Sequence, residues 1–367
     1  MSATTAPLTP ANMPLVAIVT PVYNGGKYLA RAMASVQAQT YPNIVHVVLN
    51  NASTDDSAKV IESFKGQRIP VMEFTNERVL PLAENWNKAF SYVPADAVYA
   101  KLLCADDLVR ADCIERFVDV AQSDPEIEVV LCQDVFADLV RRARMPQGTL
   151  VHDGREIVQG MMRGRTAWLA YHHFFIRMHD DLRGNLIDDY WSPDPHVVVR
   201  CALRGKFAYI PEPLVYNRAH DESVTGKELK KKGIKRELVH MHVLHHYGRA
   251  AFDDDRGYRQ SLQNWLGQMC RLTVRWRLTG QRERADEMLA TLAQHGYRFT
   301  FIDYVKNLAW WPVNSVIWRM IEMPTGPHID EPTFMAMAED QPGAAEIIPV
   351  KHPDAKYPDS PLQPKAI

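Results

Sequence analysis

An apolar run ends in two adjacent carboxylates at Leu102-Leu103-Cys104-Ala105-Asp106-Asp107. Hard oxygen donors side by side at the end of a strand suit a divalent cation such as Mn or Mg. The plainer role of an Asp just ahead of a helix is an N-cap. Asn50 and Asn51 follow another apolar run, where the pair makes either a simple turn or a polar ligand site. A further acid, Asp194, stands in Ser192-Pro193-Asp194-Pro195-His196 before a helical stretch, with Asp188 and Asp189 close by in sequence. His242 and His246 have the i, i+4 spacing of a helical metal pair. No HExxH occurs and no acid completes that set, so a surface or interface histidine face is the expectation. The five cysteines contain no CxxC, which argues against a disulfide framework or cysteine zinc site and for a reducing cytoplasm. No GxGxxG follows the first apolar run, which argues against a dinucleotide-dependent oxidoreductase.

The elements that must position these residues alternate. Apolar runs at Leu15–Thr20, Ile44–Leu49, Val71–Phe74, Val98–Leu103 and Glu128–Cys132 read as strands. Between them, 27–39, a stretch from a Ser53–Asp56 capping box to Phe64, 82–92 and 111–122 read as helices. This alternation predicts an α/β fold with a mostly parallel sheet and helices on both faces. Farther on, 156–162 and 195–203 look helical, and Phe207–Ile210 and Leu214–Asn217 look like two strands. Residues 1–14 read as a loose leader without signal-peptide character. Beyond Gly226 the pattern is helical, with a stripe of Tyr258, Leu262, Trp265, Leu266, Met269, Leu272 and Trp276. Residues 323–367 hold nine of the 24 prolines and read as a loosely structured tail. The expected organisation is therefore leader 1–14, core 15–225, helical subdomain 226–322 and tail 323–367.

Several motifs in order carry a resemblance. Thr20-Pro21-Val22-Tyr23-Asn24, Gln39-Thr40-Tyr41-Pro42, Asn50-Asn51-Ala52-Ser53-Thr54-Asp55, Asp106-Asp107, Asp194 and Tyr216-Asn217-Arg218 make the chain resemble family 2 glycosyltransferases, sugar-nucleotide-dependent enzymes of the GT-A fold. In an open α/β sheet, ligands bind beyond the carboxyl ends of the strands, so the loops after the first two strands share one crevice. The resemblance implies that Pro21, Tyr23, Asn24 and Asn51 hold the nucleotide, joined by Asn85 and Asn87. The family usually carries Asp where this chain has Asn51, and Asp-x-Asp where it has Cys104-Ala105-Asp106. Metal binding then rests on Asp106 and Asp107, with His220 as a further ligand and Arg218 at the diphosphate. Asp194, six residues before Arg200, matches the position of the family's general base. The implied reaction is an inverting single displacement from a nucleotide-diphosphate sugar, most simply a UDP-sugar, to a saccharide or lipid-linked glycan. A weakly active binding or scaffold protein of the same fold is the alternative, motivated by Cys104 and Asn51.

The 367 residues are 46% apolar and 23% charged with a net charge of −2, which argues against a nucleic-acid binder and against full disorder. Residues 226–322 alone carry 17 Lys and Arg against 10 Asp and Glu, a net +7. Beside that charge lie Phe299, Phe301, Trp310, Trp311 and Trp318. Aromatics among basic groups suit the inner membrane face as a peripheral contact. Packing on the core or a homodimer contact would use the same residues, and no apolar run is long enough to span a bilayer.

Overall fold

The computed structural model describes residues 13–141, 143–146, 148–166, 173–187, 194–221, 223, 234–309 and 325–337. Asp188, Asp189, most of the expected leader, the Lys230–Lys232 run, Trp310, Trp311, Trp318 and the end of the tail lie outside them. Two compact units emerge. The first comprises residues up to Gly154, Trp168–Ala219 and Thr325 onward; the second comprises Arg155–Ala167 and His220–Pro324.

In the first unit the alternation read from the sequence is realised as β1 (Leu15–Val22), α1 (Gly26–Gln37), β2 (Ile44–Asn50), α2 (Ser57–Ser63), β3 (Val71–Thr75), α3 (Leu82–Ser91) and β4 (Ala97–Leu102). Then come β5 (Leu108–Val109), α4 (Cys113–Gln122), β6 (Ile127–Phe136), β7 (Leu139–Arg141) and β8 (Val151–Asp153). After α5 (Gly154–Met162), which runs into the second unit, follow β9 (Phe175–Arg177), α6 (Asp194–Ala202) and β10 (Lys206–Asn217). Strands β3, β2, β1 and β4 pair in parallel. β1 and β2 are buried almost throughout, as strands covered by helices on both faces must be. Beyond β4, β9 inserts antiparallel between β4 and β6, and β10 then runs parallel to β6. The expected α/β architecture with a mostly parallel sheet is thus present, with an antiparallel strand between its two parallel parts.

Three features differ from the sequence reading. The helix expected from a Ser53–Asp56 capping box begins only at Ser57, because Ser53 and Asp55 point their oxygens at the neighbouring loop instead. The two short strands expected at 207–210 and 214–217 form one strand, β10, whose register against β6 shifts around Pro213. A proline lacks the ladder N–H, so the strand bulges there and continues. Finally, part of the expected tail is ordered structure. β11 (Thr325–His328) pairs with β7, and α11 (Glu331–Ala336), which follows the second unit's four helices α7–α10 in the chain, buries Phe334 against Leu108, Val135, Val140 and Tyr216.

The second unit contains α7 (Lys235–Ala251), α8 (Asp255–Leu278), α9 (Arg282–Gln294) and α10 (Phe301–Ala309). Asp254 caps α8, its Oδ1 accepting from Gly257 N–H at 2.7 Å. Trp265, Met269 and Trp276 of the predicted stripe are buried, and the Arg284 guanidinium lies 4.1 Å from the Trp276 ring centroid. His242 and His245 of α7 group with His295, and His245 Nε2 stands 2.8 Å from the Tyr297 hydroxyl.

The main core of the first unit centres on α4 against the sheet. Phe117 is fully buried, 5.2 Å from Phe175 between ring centroids. Truncating it removes a ring that close-packed neighbours cannot replace. Phe117→Ala should lower unfolding free energy by about 3–5 kcal/mol. Urea denaturation checks this, and a wild-type midpoint would contradict the packing.

Candidate functional site

The carboxyl ends of β1, β2 and β3 are tied together by bonds that include side chains which sequence reading assigned to ligand contact. Asn24 takes a left-handed backbone conformation (φ 49°) and Ala52 does likewise (φ 52°), so both loops turn sharply at the strand ends. Asn24 Oδ1 accepts from Thr54 N–H at 2.9 Å, while Asn24 N–H donates to Ser53 Oγ at 3.0 Å. The next two amides are also accepted by the second loop: Gly25 N–H by Ser57 Oγ at 3.0 Å and Gly26 N–H by Asp55 Oδ2 at 2.9 Å. Burial pushes the Asp55 carboxyl up, but the bonds from the Ser57 hydroxyl and Gly26 N–H outweigh it and leave the pKa lowered.

Asn51 is buried and its amide is spoken for. Its Oδ1 accepts from Asn76 Nδ2 at 2.8 Å and Leu80 N–H at 2.9 Å, and its Nδ2 donates to Leu80 O at 3.0 Å. Asn76 Nδ2 also donates to Asn85 Oδ1 at 3.0 Å. Asn87 fastens the 186–187 turn: its Oδ1 accepts from Leu186 and Ile187 N–H, each at 2.8 Å, and its Nδ2 donates to Ile187 O at 2.7 Å. Asn24, Asn51, Asn85 and Asn87 therefore build the rim by bonds within the protein. Pro21 lies in β1 beside Leu49, and Tyr23 is 54% exposed at the strand end. A cavity of 480 Å³ runs along α3, lined in part by Pro81, Asn87, Lys88 and Ile187. None of the aspartates lines it, so it lies apart from the acidic edge.

At the end of β4, one ligand atom each from Cys104, Asp106 and Asp107 lies within 4.8 Å of the others. Among the described residues this is the sole cluster of three or more such groups; His220 is not a member. His220 falls in the second unit, where its carbonyl accepts from Ser223 N–H at 3.2 Å. Asp107 is buried, and Oδ1 accepts from Arg218 N–H at 2.9 Å. His173 Nε2, on a residue that no sequence motif flags, lies 3.4 Å from Asp107 Oδ2. Burial and the Asp106 charge push the Asp107 carboxyl well above its usual range, against the opposing pull of Arg218. The Cys104 thiol is pushed up by burial, then by Asp107, Asp106 and Asp194, and so stays protonated. Behind the edge, Lys101 is fully buried and donates to His173 O at 3.0 Å. Burial lowers its pKa.

That Asp194 is felt by Cys104 brings the first residue of α6 into the electrostatic neighbourhood of the acidic edge. Burial pushes the Asp194 carboxyl up to about 6. Arg200, one and a half turns along α6, is held by Asn185 O at 2.6 Å and Asp181 Oδ2 at 3.2 Å. Arg218 does not face outward as a ready diphosphate ligand. Its Nη1 donates to Asp106 O at 2.5 Å, and its guanidinium is paired with Glu331 while lying 5.0 Å from the Tyr28 ring centroid. The donor set fits a divalent cation: two carboxylates offer hard oxygens, and the neutral thiol adds no charge.

The chain is similar to several known proteins. Residues 17–184 match the family model for glycosyl transferase family 2. Glycosyltransferase GlyG of Streptococcus pneumoniae is 29% identical over 118 residues, covering 31% of this chain and 38% of that protein. Hyaluronan synthase of Pasteurella multocida is 25% identical over 255 residues, covering 66% of this chain and 25% of that protein. The chain thus spans well under half the length of these curated relatives. Among solved structures, mannosyltransferase PcManGT from Pyrobaculum calidifontis, in complex with GDP-Man and Mn2+, aligns over 92% of this chain and 87% of its own, at 16% identity and a TM-score of 0.49. Across residues 17–184 the chain is thus similar to glycosyl transferase family 2.

Proposed function

We propose that the chain transfers a sugar from a nucleotide-diphosphate sugar to an acceptor hydroxyl, inverting the anomeric carbon in one displacement. The observation that carries this reading is Asp194: a carboxyl with a pKa of about 6 in the electrostatic neighbourhood of Cys104, which clusters with Asp106 and Asp107. A carboxylate that titrates just below neutral pH is ionised at pH 7 yet basic enough to accept a proton. Asp194 takes the hydroxyl proton of the acceptor, whose oxygen forms the new bond to the anomeric carbon. The bond from that carbon to the diphosphate breaks, and the nucleoside diphosphate leaves. Asp106 and Asp107 would hold a divalent cation, Mn or Mg, which when bound supplies positive charge for the leaving diphosphate. Tyr23, exposed at the rim, offers a ring to the donor base. The likeness to hyaluronan synthase supports a nucleotide-sugar donor such as a UDP-sugar and a saccharide or lipid-linked glycan as acceptor.

A membrane surface is the place we infer for the second unit. α10 is turned inside out: Phe301, Ile302, Val305 and Leu308 are exposed, while Asn307 Oδ1 accepts from Arg271 of α8 at 3.1 Å. Arg275, Arg298 and Lys306 are exposed on the same and neighbouring segments, so an anionic bilayer satisfies both the apolar face and the charge. Among the described residues no helix is long and apolar enough to cross a membrane.

Asp194→Asn should keep nucleotide binding by titration calorimetry yet lose about 10²- to 10⁴-fold in turnover. Wild-type turnover in that variant removes the base assignment. Because the base must be ionised, kcat/KM should rise with pH and level off above about 6; a flat profile from pH 5 to 8 speaks against it. Donor hydrolysis without acceptor separates an enzyme from a mere binder, which shows none. Asp106→Ala should raise the Mn concentration needed for half-maximal activity at least tenfold, and full activity in excess EDTA would refute the cation. Phosphatidylglycerol vesicles should co-sediment the wild-type chain and not Phe301→Asp/Val305→Asp. Equal sedimentation, or a loss of dimer rather than of vesicle binding in that variant, overturns the membrane reading.

A further inference from the structure

The described part of the C-terminal segment reaches the acidic edge through a single carboxylate. α11 is held on the sheet unit by two anchors, and its own cap fixes where it begins. Phe334 is fully buried, with its ring centroid 5.6 Å from Tyr216. Ile329 N–H donates to Asp138 O at 2.8 Å. Asp330 Oδ1 caps the helix by accepting from Thr333 N–H at 3.0 Å. These anchors fix Glu331, whose side chain is 16% exposed. Glu331 Oε1 accepts from Arg31 Nη1 at 2.6 Å and from Arg218 Nη2 at 2.5 Å, and Oε2 accepts from Arg218 Nε at 3.1 Å. The pairing with Arg218 is thus two-pronged, which fixes the plane of the guanidinium as well as its distance.

Arg218 in turn touches both residues of the edge: its Nη1 donates to the Asp106 backbone carbonyl, and its backbone N–H donates to Asp107 Oδ1. We propose that Glu331 is a positioning residue for the acidic edge: it orients the Arg218 guanidinium, which holds the Asp106 backbone carbonyl, so that the turn carrying the Asp106 and Asp107 carboxylates keeps a fixed geometry. The assignment of those carboxylates to cation and donor rests on the proposed function; the positioning itself does not. Arg31, on α1, completes the carboxylate's set of donors, so α1, the β10 end and α11 meet at one oxygen pair. With its side chain 8% exposed, the Arg218 guanidinium has little access to water, so loss of the Glu331 charge leaves it under-compensated and free to seek Asp106 or Asp107. Either move would disturb the edge, because small displacements of a positioned group are costly to rate.

The test compares Glu331→Gln, Glu331→Asp and Phe334→Ala in the full chain. Deuterium exchange is followed by mass spectrometry on peptides spanning 104–109 and 216–218, alongside kcat, donor KM and melting temperature. Glu331→Gln, nearly isosteric, should melt within a few degrees of wild type. It should show faster exchange confined to those two peptides and about a tenfold lower kcat with little change in KM. Glu331→Asp, which keeps the charge, should recover part of both. Phe334→Ala, which loosens the anchor, should speed exchange in the same peptides and across α11. Unchanged exchange or unchanged kcat in Glu331→Gln overturns the proposal, as does a general loss of protection with a large fall in melting temperature. Should the wild-type chain transfer no sugar, that failure belongs to the transferase reading, and the exchange pattern alone decides the positioning.

Discussion

Three acidic or acidifiable groups share the end of one strand, and that crowding is what the surrounding structure answers. Two unit charges 4.8 Å apart repel by about 3 kcal/mol at an effective dielectric near 20. The raised pKa of Asp107 records this cost together with burial. Each nearby element relieves part of it. The Arg218 N–H satisfies one Asp107 oxygen, and the Arg218 guanidinium lies against the Asp106 backbone. A cation at the same place would answer the remainder, so the edge is held in a state that invites positive charge.

Relief of this kind works only if the groups cannot drift apart, and the sheet edge is rigid by local bonding. The Asn24, Gly25 and Gly26 amides are all accepted by the second loop's side chains. The Asn51–Asn76–Asn85 amide chain fixes the loop after β3 in the same way. Polar residues that look from sequence like ligand contacts thus serve to hold the rim in shape before any ligand arrives. Their amides are already paired, whereas Tyr23 at the end of β1 is left exposed.

The parallel half of the fold was readable because its strands are continuous apolar runs and its helices have a 3.6-residue period. The Asp106–Asp107 edge and Asp194 were readable as motifs, since adjacent acids and an acid ahead of a helix are local patterns. What escaped depends on pairing across long separations. β9 has three residues and its identity comes from the strands it lies between. Residues 325–337 are proline-containing and short in periodicity, yet Phe334 finds a pocket made by Leu108, Val135, Val140 and Tyr216. Glu331 meets Arg218 across 113 positions, and His173 meets Asp107 by a similar accident of topology. The role read for Arg218 shifted for the same reason: a lone Arg beside an acidic motif suggests a phosphate, until a distant carboxylate is seen to occupy it.

Cys104 gives these observations a common consequence. In the pattern the chain resembles, an Asp stands there; here a thiol held protonated by burial and three neighbouring acids stands in its place. The edge then carries at most two negative charges rather than three, which lessens the repulsion that Asp107 must bear but also weakens the field available to a cation. In the reaction proposed above, a site with fewer protein charges would draw more of its cation's ligands from the diphosphate itself, so that cation and donor would bind as a pair. In that arrangement the exact placing of the two remaining carboxylates matters more, not less. This is the physical reason for a fold to bring α1, the end of β10 and a C-terminal helix to bear on one arginine behind them.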